Sequence, residues 1–340
     1  MSRKRKSRLI KNAYAFFYYR FPRYREIECY LRMLAQQFPK KVRVERIGET
    51  IQGRDIHMII ISRNLKKPQN CVLIEAGIHA REWITISTAL IFIDHLIRIP
   101  RLSSTMDFYI IPCLNPDGYE YSHVEDRLWR KNMNTNQTEV KECQGVDLNR
   151  NFPFMFGRHP GSSKDRSSFM YHGKYALSEP ESKALANTFC RYRKLIKLFI
   201  SLHCHGNLIM FPWGYTEHPI EDRCDLVDCG FACKQAMKKE SGIDRGFKIG
   251  SISKLMYYTS GSTTDYARGC HNIKFAYTIE LQSGGKSGFT HSTRKIVEIG
   301  TEVVTGIGAM ARFVHKYYKK KDNPTKPKCI TTKCKRPKTW

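Results

Sequence analysis

The stretch CVLIEAGIHAREWITISTALIFIDHLIRI (residues 71–99) joins a short apolar run to a long one. Residues 71–77, rich in β-branched and aliphatic side chains, read as a buried strand, and residues 81–99 as a helix. Asp94, His95 and Arg98 interrupt the second run, so it fits a buried helix of a globular core and not a bilayer span. Between strand and helix stand His79 and Glu82, three residues apart, at the place where open α/β sheets gather their ligand sites.

The same alternation continues outward. Spacing of Ile27, Tyr30, Leu31 and Leu34 predicts a helix over 24–39. Strands are expected over 55–62, 106–115, 195–203 and 273–281, and helices over 178–194, 221–240 and 293–321. NPDG (115–118) reads as a turn that stops a strand. Ser178 is expected at a helix N-cap, with Pro180 and Glu181 in the first turn. Residues 120–175, rich in Gly, Asn and Ser, read as long loops. Buried strands alternating with long helices imply an α/β fold: one domain with a mixed, mostly parallel twisted sheet flanked by helices on both faces. Its expected limits are residues 10–319, between a basic segment (1–9) and a Lys/Pro-rich tail (320–340) expected to be disordered.

With 41% hydrophobic and 12% aromatic residues, the 340-residue chain can bury a large core. Its net charge of +27 is partly concentrated at the ends. Residues 316–340 hold nine Lys and one Arg against one Asp. Such ends are either solvated surface or an adhesive for acidic glycans or other polyanions. Of twelve cysteines, Cys224, Cys229 and Cys233 are spaced by 5 and 4, which is no zinc-ribbon pattern, and disulfides of a secreted protein are a second reading. Residues 136–138, Asn-Gln-Thr, form a glycosylation sequon. The opening MSRKRKSRLIKNAYAFF carries no apolar signal core followed by small cleavage residues.

His79, Glu82 and His203, the last at the end of the strand over 195–203, are the residue types of a catalytic zinc site: three protein ligands and one open position. His-x-x-Glu has little specificity alone. Other polar groups at strand ends and in loops add it: Arg130, GVDLNRNF (145–152), YYTSGSTTDY (257–266), and Glu280 set between Ile279 and Leu281. A carboxylate in an apolar strand demands a reason for its burial. Periodicity does not choose between His203 and His205, since residues two apart on a strand face alike. Tyr257 and Tyr258 are similarly both on offer.

In their order along the chain, GIHAREWIT (77–85), NPDGY (115–119), GVDLNRNF, YHGKYALSEPES (171–182), SLH (201–203), SGSTTDYA (260–267) and YTIEL (277–281) resemble the zinc metallocarboxypeptidases of the pancreatic carboxypeptidase A/B type. The resemblance runs from about residue 12 to 318. It implies one Zn²⁺ per chain on His79, Glu82 and His203, with Asp147 fixing the tautomer of the first histidine. It implies Glu280 as general base and Arg130 as the group that polarises the scissile carbonyl. Asn149, Arg150 and Tyr257 would bind the free C-terminal carboxylate of a peptide, and Arg81 would add a further substrate contact. Thr264, with Ser262 on the wall, falls where the family selects the C-terminal side chain; a neutral hydroxyl there implies release of a neutral, apolar or aromatic residue. The family's Asp at 265 is not the selector. The implied protein is a secreted, monomeric exopeptidase acting on peptide or protein C-termini, without a transmembrane segment. A different reading is an inactive homologue that binds polyanions or peptides; a third is a zinc hydrolase of another amide. Family members are made with a signal peptide and an inhibitory prosegment, neither of which is visible in this chain. Cys143 resembles one half of the family's disulfide, but no cysteine stands near Ser167 to complete it.

Overall fold

The computed structural model describes residues 15–99, 101–135, 140 and 144–322. Eight strands form one sheet: β1 (Val42–Glu49), β2 (Asp55–Ile61), β3 (Cys71–Glu75), β4 (Asp107–Ile111), β5 (Ile196–Cys204), β6 (Leu208–Phe211), β7 (Lys248–Ser251) and β8 (Phe275–Leu281), in the order β1-β2-β4-β3-β5-β8-β6-β7. The central run β4-β3-β5-β8 is parallel, as is the β6-β7 pair; β1-β2, β2-β4 and β6-β8 are antiparallel. The mixed, mostly parallel sheet is therefore as expected.

The helices among the described residues are α1 (Tyr24–Gln37), α2 (Trp83–Arg98), α3 (Pro116–Val124), α4 (Pro180–Tyr192), α5 (Arg223–Ser241), α6 (Ile252–Leu255), α7 (Thr263–Gly269) and α8 (Ile296–Asp322). Strand side chains alternate between two cores. Val72, Ile74, Leu198, Ile200, Leu202, Tyr277 and Ile279 join the layer built with α1, α2, α5 and α8. Cys71, Leu73, Phe199 and Ala276 join the opposite layer with Leu185 and Phe189 of α4 and Tyr266 of α7. Helix α2 is buried on nearly all sides, and its Asp94 pairs with Arg98 Nε at 2.5 Å and accepts a hydrogen bond from the Tyr18 hydroxyl.

The second face changes character along the strands. After the apolar residues above, the next side chains on that face are Glu75 on β3, Ser201 and His203 on β5, and Thr278 and Glu280 on β8, all buried. The register places Glu75 opposite Ser201, Ser201 opposite Thr278, and His203 opposite Glu280. One end of one face is thus polar, while the other face stays apolar to Leu281.

Several elements depart from the sequence reading. NPDG opens α3 instead of only ending a strand: Asn115 caps it by accepting from Gly118 N at 3.0 Å, and Pro116 takes the first turn, where a missing N–H costs nothing. The N-cap of α4 is Glu179, not Ser178, whose hydroxyl donates to Glu179 Oε1 at 2.6 Å. Strands β1, β6 and β7 and helices α6 and α7 were not expected; they are short or mixed in polarity. Helix α8 continues to Asp322. The basic segment 1–9, the sequon, Cys143 and all but the first three residues of the 320–340 tail lie outside the described residues.

Asn115 also donates to Ile78 O (3.2 Å) and Lys131 O (3.1 Å), so one fully buried amide ties α3 to the segments that carry His79 and Arg130. Asn115→Ala leaves those buried groups unpaired and is expected to destabilise the fold by roughly 2–4 kcal/mol in equilibrium chemical denaturation.

Candidate metal centre and active site

Where β3 ends, Ala76 N still donates to Ile111 O of β4, and then the chain turns. Glu82 N donates to His79 O at 3.2 Å, a tight turn that folds both side chains to one point before α2 begins. His79 Nδ1 lies 2.8 Å from Glu82 Oε1, His203 Nδ1 lies 3.2 Å from Glu82 Oε2, and the two Nδ1 atoms are 3.1 Å apart. Tetrahedral zinc with ligand bonds of about 2.0–2.1 Å separates neighbouring donors by about 3.4 Å, so this two-imidazole, one-carboxylate set fits zinc with slight dilation. The cluster Glu28, Asp55 and His57 also lies close together, but Arg46 already pairs with Asp55, and Arg32 lies 3.8 Å from Glu28.

His205 is not part of the set. Strand β5 stops at Cys204, so the alternation that made the two histidines equivalent does not reach it. Its Nδ1 meets Ser283 Oγ at 2.9 Å and its ring packs edgewise on Phe289.

The three donors sit in different electrostatic surroundings. Burial raises the Glu82 carboxyl, but His79 and His203 outweigh it and hold it well below the usual range. Burial and the nearby Arg130 lower His79, favouring the neutral ring a metal requires. Burial lowers His203 too, but Glu82, and then Glu280 and Glu75, raise it to about 9. Glu280 is raised to about 8, chiefly by burial, and its Oε2 has no hydrogen-bond partner.

Asp147 sits behind the donors with no exposure. Its Oδ1 is 3.1 Å from His79 Nε2 and accepts from Asn149 N at 3.0 Å; its Oδ2 accepts from Arg130 Nη2 at 2.9 Å and lies 3.7 Å from Arg150 Nη1. Arg130 thus rests on Asp147, with a second donor, Nε, at 3.3 Å.

His79, Glu82, Arg130, His203 and Glu280 line a cleft of about 220 Å³ together with Arg81, Asn149, Arg150, Tyr257 and Ser262. Arg150 is almost fully buried. Its Nε donates to Gly161 O at 2.8 Å and its Nη1 to Asn149 O at 3.0 Å, but its Nη2 has no acceptor. Asn149 Oδ1 accepts from Thr263 N and Oγ1. Tyr257 is 46% exposed, with its ring centroid 6.0 Å from the Arg150 guanidinium carbon; Tyr258 turns away to donate to Glu217 at 3.2 Å. Arg81 lies over the Phe289 ring at 4.1 Å, at the cleft's rim.

Thr264 is placed one layer deeper than expected. It is fully buried, and its hydroxyl meets that of Thr278 at 2.7 Å; Thr278 is the one that reaches the cleft. Met210, Ile252, Met256 and Thr259 complete that wall. The carboxylate of Asp265 faces elsewhere, accepting from Gly214 N and Tyr215 N. Sequence reasoning missed Thr278, although its place two residues before Glu280 puts it on the same strand face. Met210, Ile252 and Met256 look like ordinary core residues in sequence and gave no signal.

Comparison with known proteins agrees with this geometry. The zinc carboxypeptidase family model matches residues 27–306. Carboxypeptidase B of Astacus astacus is 33% identical over 300 residues, covering 87% of this chain and 97% of the crayfish protein. Bovine carboxypeptidase A1 is 32% identical over 289 residues, covering 83% of this chain and 67% of its own. Among solved structures, bovine thrombin-activatable fibrinolysis inhibitor, in complex with tick carboxypeptidase inhibitor, superposes with a TM-score of 0.82 at 32% identity, over 88% of this chain and 99% of the other. With a family match spanning most of its length and the zinc-type donor set at the end of its sheet, this chain belongs to the zinc carboxypeptidase family and is a metallocarboxypeptidase.

Proposed function

We propose that the cleft releases a single neutral residue from peptide C-termini, with one zinc ion on His79, Glu82 and His203. The observation that carries this reading is Arg150 Nη2: a guanidinium donor buried without an acceptor, deep in the cleft. A C-terminal carboxylate supplies the missing acceptor, whereas an internal peptide bond leaves that buried donor unsatisfied. Asn149 and Tyr257, at the same end, complete the clamp.

Bound zinc supplies Lewis acidity, which makes water acidic enough to react near neutral pH and polarises a carbonyl. Glu280 takes the proton of the attacking water on its carboxylate and delivers it to the leaving amine. Arg130 faces the same space and stabilises negative charge on the carbonyl oxygen, while Asp147 holds its guanidinium in place. Arg81, at the rim, contacts residues upstream of the scissile bond. All these groups come from one chain, so a monomer suffices.

The wall beyond the clamp is Met210, Ile252, Met256, Thr259, Ser262 and Thr278, with Thr264 backing Thr278. None of these carries a charge. A Lys or Arg side chain entering there has no partner, at a cost of several kcal/mol. Among the described residues no helix is long and apolar enough to cross a membrane, and we place the enzyme outside the cell by its kinship. Its basic ends are proposed to hold it to acidic glycans.

Four outcomes test these assignments. His203→Ala is expected to lose zinc and His205→Ala to keep it in metal analysis of the purified variants; the reverse exchanges the two residues. Glu280→Gln should retain one zinc per chain while kcat falls by about 10²–10⁴-fold; loss of the metal would make Glu280 a ligand. In a peptide series differing only in the last residue, apolar or aromatic termini should exceed Lys and Arg in kcat/KM by on the order of 100-fold. A preference for basic termini would refute the pocket assignment. Finally, the chain should leave a heparin column at high salt, and a variant lacking residues 1–9 and 323–340 at clearly lower salt, because exposed charges are screened within about 8 Å; equal elution would clear the ends of that role.

A further inference from the structure

Glu75 is a buried carboxylate that the reaction above does not use. It ends β3 with no exposure, and neither of its oxygens makes a hydrogen bond of normal length. Directly opposite on β5 is Ser201, also fully buried. The Ser201 hydroxyl lies 2.9 Å from His203 Nε2, the ring nitrogen that faces away from Glu82 and His79.

We propose that Glu75 and Ser201 form a positioning relay that presents His203 to the metal, as Asp147 presents His79. The inference rests on the zinc reading of the site. A metal at His203 Nδ1 takes the lone pair there, so the ring proton must be on Nε2 and must be donated. Two polar side-chain groups lie within reach of Nε2. Asn149 Nδ2, at 3.4 Å, is itself a donor, because Asn149 Oδ1 is committed to Thr263. Ser201 Oγ is therefore the acceptor. A hydroxyl that accepts from His203 has its own proton to give, and Glu75 stands beside it with unfilled acceptor capacity. The chain Nε2–H to Ser201 Oγ, then Ser201 O–H to the Glu75 carboxylate, gives the ring N–H an acceptor and one Glu75 oxygen a donor, and fixes both the tautomer and the rotation of the ring.

Such partners typically change metal affinity by about 10–100-fold. The test uses the full chain and zinc alone, titrated against a chelator of known affinity at fixed pH. Ser201→Ala and Glu75→Gln are each expected to bind zinc about 10–100-fold more weakly. Because Glu75 acts through Ser201, the double variant should be no weaker than Ser201→Ala. Additive losses, or wild-type affinity in both single variants, would overturn the relay. Failure of the wild type to take one zinc would instead overturn the metal reading itself. Should a variant not fold, the zinc-loaded wild type labelled with ¹⁵N-histidine decides: a hydrogen-bonded proton on His203 Nε2 supports the relay, and a proton on Nδ1 refutes it.

Discussion

The candidate site is built around the carboxylate of Asp147. It has no exposure, and burial alone would push it toward the neutral form; Arg130, Arg150 and His79 reverse that and hold it far below its usual range. The dependence is mutual. Without this anion, the buried Arg150 would lose its counter-charge and Arg130 would keep only Glu82, 4.0 Å away, and removing one partner of a buried pair costs about 3–5 kcal/mol. Asp147 also receives the backbone N–H of Asn149, which sets the start of the short 3₁₀ turn Leu148–Arg150. One side chain therefore holds together His79, Arg130 and the turn that carries Asn149 and Arg150.

The sheet supplies the floor on which this charge cluster stands. A strand buried on both faces normally carries apolar side chains on both. Here β3, β5 and β8 keep that pattern for most of their length and change only on one face, at one end. The change coincides with the termini from which the loops bearing His79, Arg130 and Arg150 approach, so polar strand ends and polar loops neutralise each other's burial. The apolar layer on the opposite face, under α2 and α8, continues uninterrupted and bears the stability of the domain.

Much of this was legible in the sequence, and the limits are physical. The central strands and the long helices were readable because each is long, apolar and periodic. His79 and Glu82 were marked by charge at the end of such a strand, and Glu280 by charge inside one. Choosing between His203 and His205 needed the strand's end, which periodicity alone does not locate; the structure groups His203, the residue the family resemblance pointed to, with His79 and Glu82. The NPDG segment misled because Asn and Pro serve a turn and a helix start equally well; what decides is that the chain stays helical to Val124, with Gly118 N donating to Asn115 Oδ1. The depth of Thr264 was invisible for a different reason: which of two hydroxyls reaches the cleft depends on how α7 packs against β8. Glu75 and Ser201 were hidden among residues that read as strand, since a buried partner of a partner has no spacing of its own.

His203 and Glu280 are cross-strand neighbours on β5 and β8, held by a parallel ladder with strands about 4.8 Å apart. The spacing between His203, the proposed metal donor, and Glu280, the proposed base, is therefore set by the sheet itself. Most of the residues proposed to decide which terminus fits stand on β6, on α6 and in the loop before α7; Thr278, on β8 beside Glu280, is the exception. On that proposal, substitution among the wall residues off β5 and β8 would change which terminus is preferred while leaving this cross-strand distance as it is.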